Sequence, residues 1–257
     1  MKLSNFPISK KAALTAAVFL IAAVVAPTLF AQDAAGGEGG TYSLGEKILG
    51  IPGGALGIIT QLIIILTSVF MFGWIIECFV NVRGDKIVPP EVIAALQNYI
   101  DEGDLEGALQ YCEGAPNYLT RVVGAGLNRM QYGGESVKNA AIAMADAEQG
   151  KLDFHISPIA LCASVGPLMG LFGTVTGMVM AFAQIETAPG GQVNPKMVAG
   201  GIALALLSTV LGLVIAIPGL SFFWYFKNKT QSIGVRINLV ADDMIETIAA
   251  YAAQQQS

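Results

Sequence analysis

Residues 156–185 read ISPIALCASVGPLMGLFGTVTGMVMAFAQI, 30 residues without a charged side chain. An apolar helix needs only about 20 residues to cross roughly 30 Å of hydrocarbon. The small residues in this stretch are not scattered. Ala163, Gly166, Gly170, Gly173, Gly177 and Ala181 follow one another at steps of three or four, which lines them up along one helix face. A span that merely anchors has no use for such a row. Lipid tails are as apolar as Leu, so hydrophobic burial cannot drive helices together in a bilayer. Small side chains can, because they let backbones approach closely. The row predicts a transmembrane helix packed tightly on another helix, within one chain, between subunits, or both.

A second row lies downstream. Residues 197–226 are also uncharged over 30 positions, and Gly201, Ala205, Ser208, Gly212, Ala216 and Gly219 repeat the same spacing. A third uncharged stretch, 48–76, is built differently, with the bulky run Leu62-Ile63-Ile64-Ile65-Leu66 of a plain anchor. Helices of this length reach roughly 45 Å at 1.5 Å per residue, so they tilt or project beyond the bilayer. The fourth uncharged stretch, Ala12 to Gln32, reads as a secretory signal. Lys2, Lys10 and Lys11 precede a short apolar core, Pro27 breaks it, and Leu29-Phe30-Ala31 offers a cleavage site before Gln32. Leu29 is large for its place in such a site, which leaves an uncleaved anchor as the alternative. A Gly- and Ala-rich leader follows.

The whole composition agrees with a membrane protein. Of 257 residues, 54% are hydrophobic and 13% charged, with a mean hydropathy of +0.60. That is half the charge of an ordinary soluble domain. Three scattered cysteines exclude a secreted disulfide scaffold. A single histidine and the absence of a Cys-x-x-Cys pair argue against zinc, and no cofactor or metal is expected. A net charge of −5 gives no reason to expect nucleic acid. No nucleophile, base and oxyanion donor can be assembled in or near the spans, so an enzyme is not expected.

Orientation follows from the basic residues. Arg83, Lys86, Lys151, Lys227, Lys229 and Arg236 flank the long loop and the tail, against Lys47 and Lys196 on the other side. Six against two puts the loop and tail in the cytoplasm. The expected fold class is an all-α integral membrane protein with three long transmembrane helices and cytoplasmic helical extensions, after an N-terminal signal peptide. Its parts are a signal peptide (1–31), a periplasmic leader (32–47), transmembrane helix 1 (48–80) and a cytoplasmic helical domain (81–155). Transmembrane helix 2 (156–183), a periplasmic loop (184–197), transmembrane helix 3 (198–226) and a cytoplasmic tail (227–257) complete it. The chain would lie in a bacterial inner membrane, with its mature N-terminus in the periplasm.

Within 81–155, Pro89-Pro90 suggests a helix start. Val92, Leu96 and Ile100 recur at helical spacing, as do Leu105 and Leu109. Gly103 and the Gly133-Gly134 pair read as breaks, and Val137, Ala140, Ala141 and Met144 continue as a helix toward the second span. Asp101, Glu102, Asp104, Glu106 and Glu113 read as a solvated face.

Polar groups in the spans are few. Thr174 and Thr176 lie in the second, Ser208 and Thr209 in the third, and neither span holds an ionisable residue. A hydroxyl in a span commonly bonds its own helix carbonyl and does nothing more. Glu77 reads as interfacial. A proton path through hydrocarbon normally needs titratable groups, and this chain alone has no complete relay. Conduction must borrow an acid from a partner.

The run Gly166-Pro167-Leu168-Met169-Gly170-Leu171-Phe172-Gly173-Thr174-Val175-Thr176-Gly177-Met178 resembles the second-span signature of the MotA/TolQ/ExbB proton channel family. Residues Val198 to Pro218 resemble that family's third span. Three spans and a large first loop fit the ExbB/TolQ branch. The resemblance implies a mostly helical pentamer around two single-span helices of an ExbD/TolR-like partner, whose membrane Asp carries the proton. It further implies that the motor couples the proton motive force to outer-membrane transport or envelope maintenance, with a TonB-like protein as a further candidate partner. Carried over, Thr174 and Thr209 match pore-facing threonines. Leu204 departs from a glutamate found in many relatives, which makes an intrinsic ring acid unavailable. Against this stands a non-conducting scaffold of an envelope-spanning complex, which Leu204 favours. A solute carrier ranks last, for want of interrupted spans with a charged site.

Overall fold

The computed structural model describes residues 54–186 and 195–254. The expected signal peptide (1–31), the leader (32–47) and most of the 184–197 loop lie outside them. Every regular element among the described residues is helical. The order is α1 (Gly54–Asn81), α2 (Gly84–Ile87), α3 (Pro90–Asp101), α4 (Leu105–Gly114) and α5 (Tyr118–Leu127), then a 3₁₀ turn (Met130–Tyr132), α6 (Gly134–Glu186) and α7 (Pro195–Gln254). Helices α1, α6 and α7 are each long and apolar enough to cross a membrane. The protein is an all-α integral membrane protein.

The chain divides into two compact units. The first takes α1 up to Glu77, α6 from Pro158 and α7 up to Phe223. Its periphery is bulky hydrocarbon. Leu66, Leu168, Leu171, Val179, Leu206 and Ile217 are all exposed. Its interior mixes large apolar side chains, such as Ile64, Met71, Ile159 and Ile215, with small or polar ones: Thr60, Gln61, Ala163, Ala181, Ala205 and Ser208 are buried. Large apolar residues on both sides are expected where the surrounding solvent is lipid, and the small residues permit close packing of the helices. Pro167 and Pro218 lie inside continuous helices, tolerated in spans because neighbouring groups re-satisfy the freed carbonyls.

The second unit runs from Cys78 to Ser157 and from Trp224 to the C-terminal end of α7. Helix α3 opens with Pro90 in its first turn, where a missing N–H costs nothing. Its buried residues are Val92, Leu96 and Ile100. The Asp104 carboxylate accepts the Gly107 N–H at 2.9 Å and caps α4, whose buried residues are Ala108 and Cys112. The other four loop acids named above are exposed. A reciprocal capping box between Asn117 and Thr120 starts α5. Gly103 and Gly133 carry positive φ of 76° and 94°, so both breaks need the backbone freedom of glycine. Val137, Ala141 and Ala145 of α6 face the core, and so do Ile237, Ala241, Met244, Ile245, Ile248 and Ala252 of α7. The stretch after residue 226, which the sequence suggested only as a tail, is thus a wall of this core. Tyr118 ties three helices together, its hydroxyl set between the Ala145 carbonyl at 3.1 Å and Asn238 Oδ1 at 3.2 Å.

Candidate functional site

The two small-residue rows meet inside one chain. In the first unit α6 and α7 run antiparallel with their glycine faces in contact, so residue numbers rise on one helix as they fall on the other. A Cβ placed at Gly166 would lie 3.1 Å from the Gly212 carbonyl oxygen, and one at Gly170 would lie 2.9 Å from that of Ser208. Farther along, a Cβ at Gly177 would fall 2.9 Å from Ala205 Cβ, and one at Gly201 would fall 3.0 Å from Ala181 Cβ. On α7, a Cβ at Gly212 would sit 2.6 Å from the Gly166 carbonyl. At Gly166, Gly170 and Gly212 the nearest atom is backbone, and at Gly177 and Gly201 it is the methyl of an alanine, so the seam leaves little room for larger side chains. Ala216 is buried on the same helix, and Gly219 admits Met71 of α1 and Ala163 of α6.

Thr209 sits on this seam. It is half-buried and its hydroxyl donates across to the Gly170 carbonyl at 3.4 Å, a long bond that joins α7 to α6. Thr174 lies one turn beyond Gly170, on the same side of α6 by helical geometry. It is also half-buried, and its hydroxyl donates to the Leu171 carbonyl at 2.6 Å in its own helix. Each hydroxyl spends its proton on a carbonyl and keeps its lone pairs for an incoming donor. Leu204 falls on α7, but its side chain lies outside the described residues.

Span 1 holds a polar pair that the sequence reading passed over. Gln61 is 1% exposed and Thr60 is 3% exposed. Gln61 Nε2 donates to Ser208 Oγ at 3.3 Å, while its Oε1 has no hydrogen-bond partner among the described residues. Leaving such a carbonyl buried and unmet costs about 1–3 kcal/mol. The signal was present in the sequence, since a polar pair directly before Leu62-Ile63-Ile64 is costly in hydrocarbon and calls for partners. The bulky run beside it masked the pair.

In the second unit the charged feature is Glu148, whose carboxylate is buried against Arg121 at 3.0 Å and against Lys151. Burial pushes its pKa up, but the hydrogen bonds from Lys151 and Arg121 outweigh burial and hold it below the usual glutamate value. Burial and the nearby Glu113 push the Cys112 thiol up to about 11, so it stays protonated and is a poor nucleophile.

Residues 115–238 match the model of the MotA/TolQ/ExbB proton channel family. That stretch holds α5, α6 and α7 as far as Asn238, just under half of the chain. The Tol-Pal system protein TolQ of Haemophilus influenzae is 37% identical over 36% of this chain and 36% of its own length. A putative biopolymer transport protein ExbB homolog of Methanothermobacter thermautotrophicus is 25% identical over 72% of this chain and 64% of its own. These matches span about a third to two thirds of the length of those relatives. Among solved structures, that of C. jejuni MotAB aligns over 93% of this chain and 89% of that one at 16% identity, with a TM-score of 0.46.

Proposed function

We propose, from the premise that this chain belongs to the MotA/TolQ/ExbB proton channel family and to its ExbB/TolQ branch, that it is the ring-forming subunit of a proton-driven motor in the inner membrane. Several copies, five by family analogy, surround an ExbD/TolR-like single-span partner with a membrane Asp. The motor couples proton motive force to outer-membrane transport or envelope maintenance, and a TonB-like protein is a further candidate partner. The observation that carries the reading is the α6–α7 seam, with Thr209 reaching the Gly170 carbonyl and Thr174 one turn along. Second and third spans without an ionisable residue support a sleeve whose working acid comes from elsewhere. The basic residues support a cytoplasmic second unit and a periplasmic N-terminus after signal cleavage.

The proposed chemistry is simple. A carboxylate in an apolar lumen is disfavoured in its charged form, so the partner's Asp has a raised pKa. Beside the lone pairs of Thr174 and Thr209, and water, it exchanges its proton. The membrane potential contributes about 2.3 kcal/mol per charge per 100 mV. Two partner helices inside a five-fold ring cannot both occupy equivalent positions, so protonation of one drives relative motion.

The test is Thr174→Val with Thr209→Val, co-expressed with an ExbD/TolR-like single-span partner. Proton flux through reconstituted vesicles is expected to fall at least tenfold while the complex still assembles. Full flux and full transport in the double variant would remove both threonines from the path and favour the scaffold reading.

A further inference from the structure

The three spans of the first unit enclose a cavity of ≈10 Å³ lined by Thr60 and Gln61 of α1, Gly173, Thr176 and Gly177 of α6, and Ser208 of α7, among others. That is room for about one water molecule. We infer that this cavity is a binding site for a single water, held by Gln61 Oε1 and Thr176 Oγ1, which completes a polar cross-link among all three spans.

The hydrogen-bond inventory sets the chemistry of the occupant. Gln61 Oε1 is an acceptor without a donor, on a side chain that is 1% exposed. Thr176 has already committed its proton, donating to the Phe172 carbonyl at 2.9 Å and the Gly173 carbonyl at 3.2 Å. Only its lone pairs remain. Ser208 Oγ already accepts from Gln61 Nε2. Gln61 and Thr176 therefore ask for a small molecule that donates twice. Water does so without bringing charge. A sodium ion would have to shed its hydration with no charged side chain in the lining to offset it. Apolar cavities of this kind stay dry, whereas polar ones take up water that meets otherwise unsatisfied groups.

Gly173 helps to keep the cavity open. A Cβ at Gly173 would lie 2.5 Å from both Ser208 Cβ and Ser208 Oγ, closing the space and displacing the hydroxyl that Gln61 uses. The site is independent of the proposed proton path. Thr176 stands two residues from Thr174, about 200° around the helix.

The experiment is a structure of the full chain in lipid nanodiscs at a resolution that shows ordered water, in sodium buffer and in choline buffer. One peak within hydrogen-bond distance of Gln61 Oε1 and Thr176 Oγ1 is expected in both buffers. It is expected to disappear in Thr176→Val and in Gln61→Leu. An empty cavity, with other buried waters visible, overturns the inference, as does a peak that survives both substitutions. A peak confined to sodium buffer, or a Tm raised by sodium over choline at equal ionic strength, also overturns it, in favour of a cation site. If Gln61→Leu does not fold, Thr176→Val and the two buffers still decide.

Discussion

Gly170 and Gly212 illustrate how narrow the tolerance of the seam is. A methyl at Gly170 would meet the Ser208 carbonyl at 2.9 Å and Thr209 Cα at 3.0 Å, and one at Gly212 would meet the Gly166 carbonyl at 2.6 Å. All of these are backbone atoms, which cannot swing aside. Gly170→Ala and Gly212→Ala are each expected to destabilise the bundle by about 1–3 kcal/mol, the usual cost of overpacking. Gly200 on the same helix has nothing within 4 Å of its missing Cβ, so Gly200→Ala is expected to be neutral or to gain up to about 1 kcal/mol from helix propensity. Thermal melts of the three variants in one detergent check this, and equal melting temperatures for all three would refute it. Glu148 gives a pH signature. Its folded-state pKa is lowered, by the Lys151 and Arg121 hydrogen bonds against an opposing burial effect. Its contribution is therefore full above the ordinary glutamate value and is lost as pH falls through the folded one. With both cations largely solvated, Glu148→Gln is expected to cost about 1 kcal/mol at pH 7. The gap to wild type should close on acidification, and a gap that widens instead would reverse the sign argued here.

At the level of elements, the breaks are better determined than the continuations. Gly133 has φ 94° and ψ 163°, a conformation open essentially to glycine alone. It ends the 3₁₀ turn and lets α6 begin at Gly134. Gly133→Ala is expected to cost the second unit about 1–3 kcal/mol, read as a lower unfolding midpoint, and an unchanged midpoint would mean that the turn has other solutions. Both glycine breaks and the Pro89-Pro90 start were legible because each rests on a local steric rule. The course of α7 was not. Past Phe226 it carries Lys227, Lys229, Arg236, Asp242 and Asp243, which end the apolar stretch and so hide the helix that continues. Its apolar positions Ile237, Ala241, Met244, Ile245 and Ile248 step by one, three and four, a helical pattern visible only once the segment is read as having a partner.

For the molecule as a whole, that hidden continuation makes the second unit depend on both ends of its sequence. A chain stopped after Lys229 loses Ile237, Met244, Ile245 and Ile248 from the core shared with Leu96, Leu119 and Val123. Limited proteolysis of such a chain in nanodiscs is expected to cut within residues 81–155, where the full chain resists. Equal resistance would show that α3, α4 and α5 hold their shape unaided. The lack of acids in the second and third spans makes a matching functional prediction. The chain reconstituted alone in liposomes is expected not to acidify a trapped dye after an external acid jump, and rapid proton-selective acidification would mean that the sleeve conducts without a borrowed carboxyl.

The one-dimensional pattern was enough to determine the spans, the glycine rows, the two positive-φ breaks and the family resemblance, because each depends on spacing along one helix or on the sterics of one residue. It left open which rows face each other and what Gln61 touches. Those depend on residues more than a hundred positions apart, such as Gln61 and Ser208, and only the folded bundle brings them within reach. The same reason separates Thr174 from Thr209. Sequence marks both as hydroxyls in hydrocarbon, but only the antiparallel register of α6 and α7 gives one of them a carbonyl on the neighbouring helix and the other a carbonyl on its own.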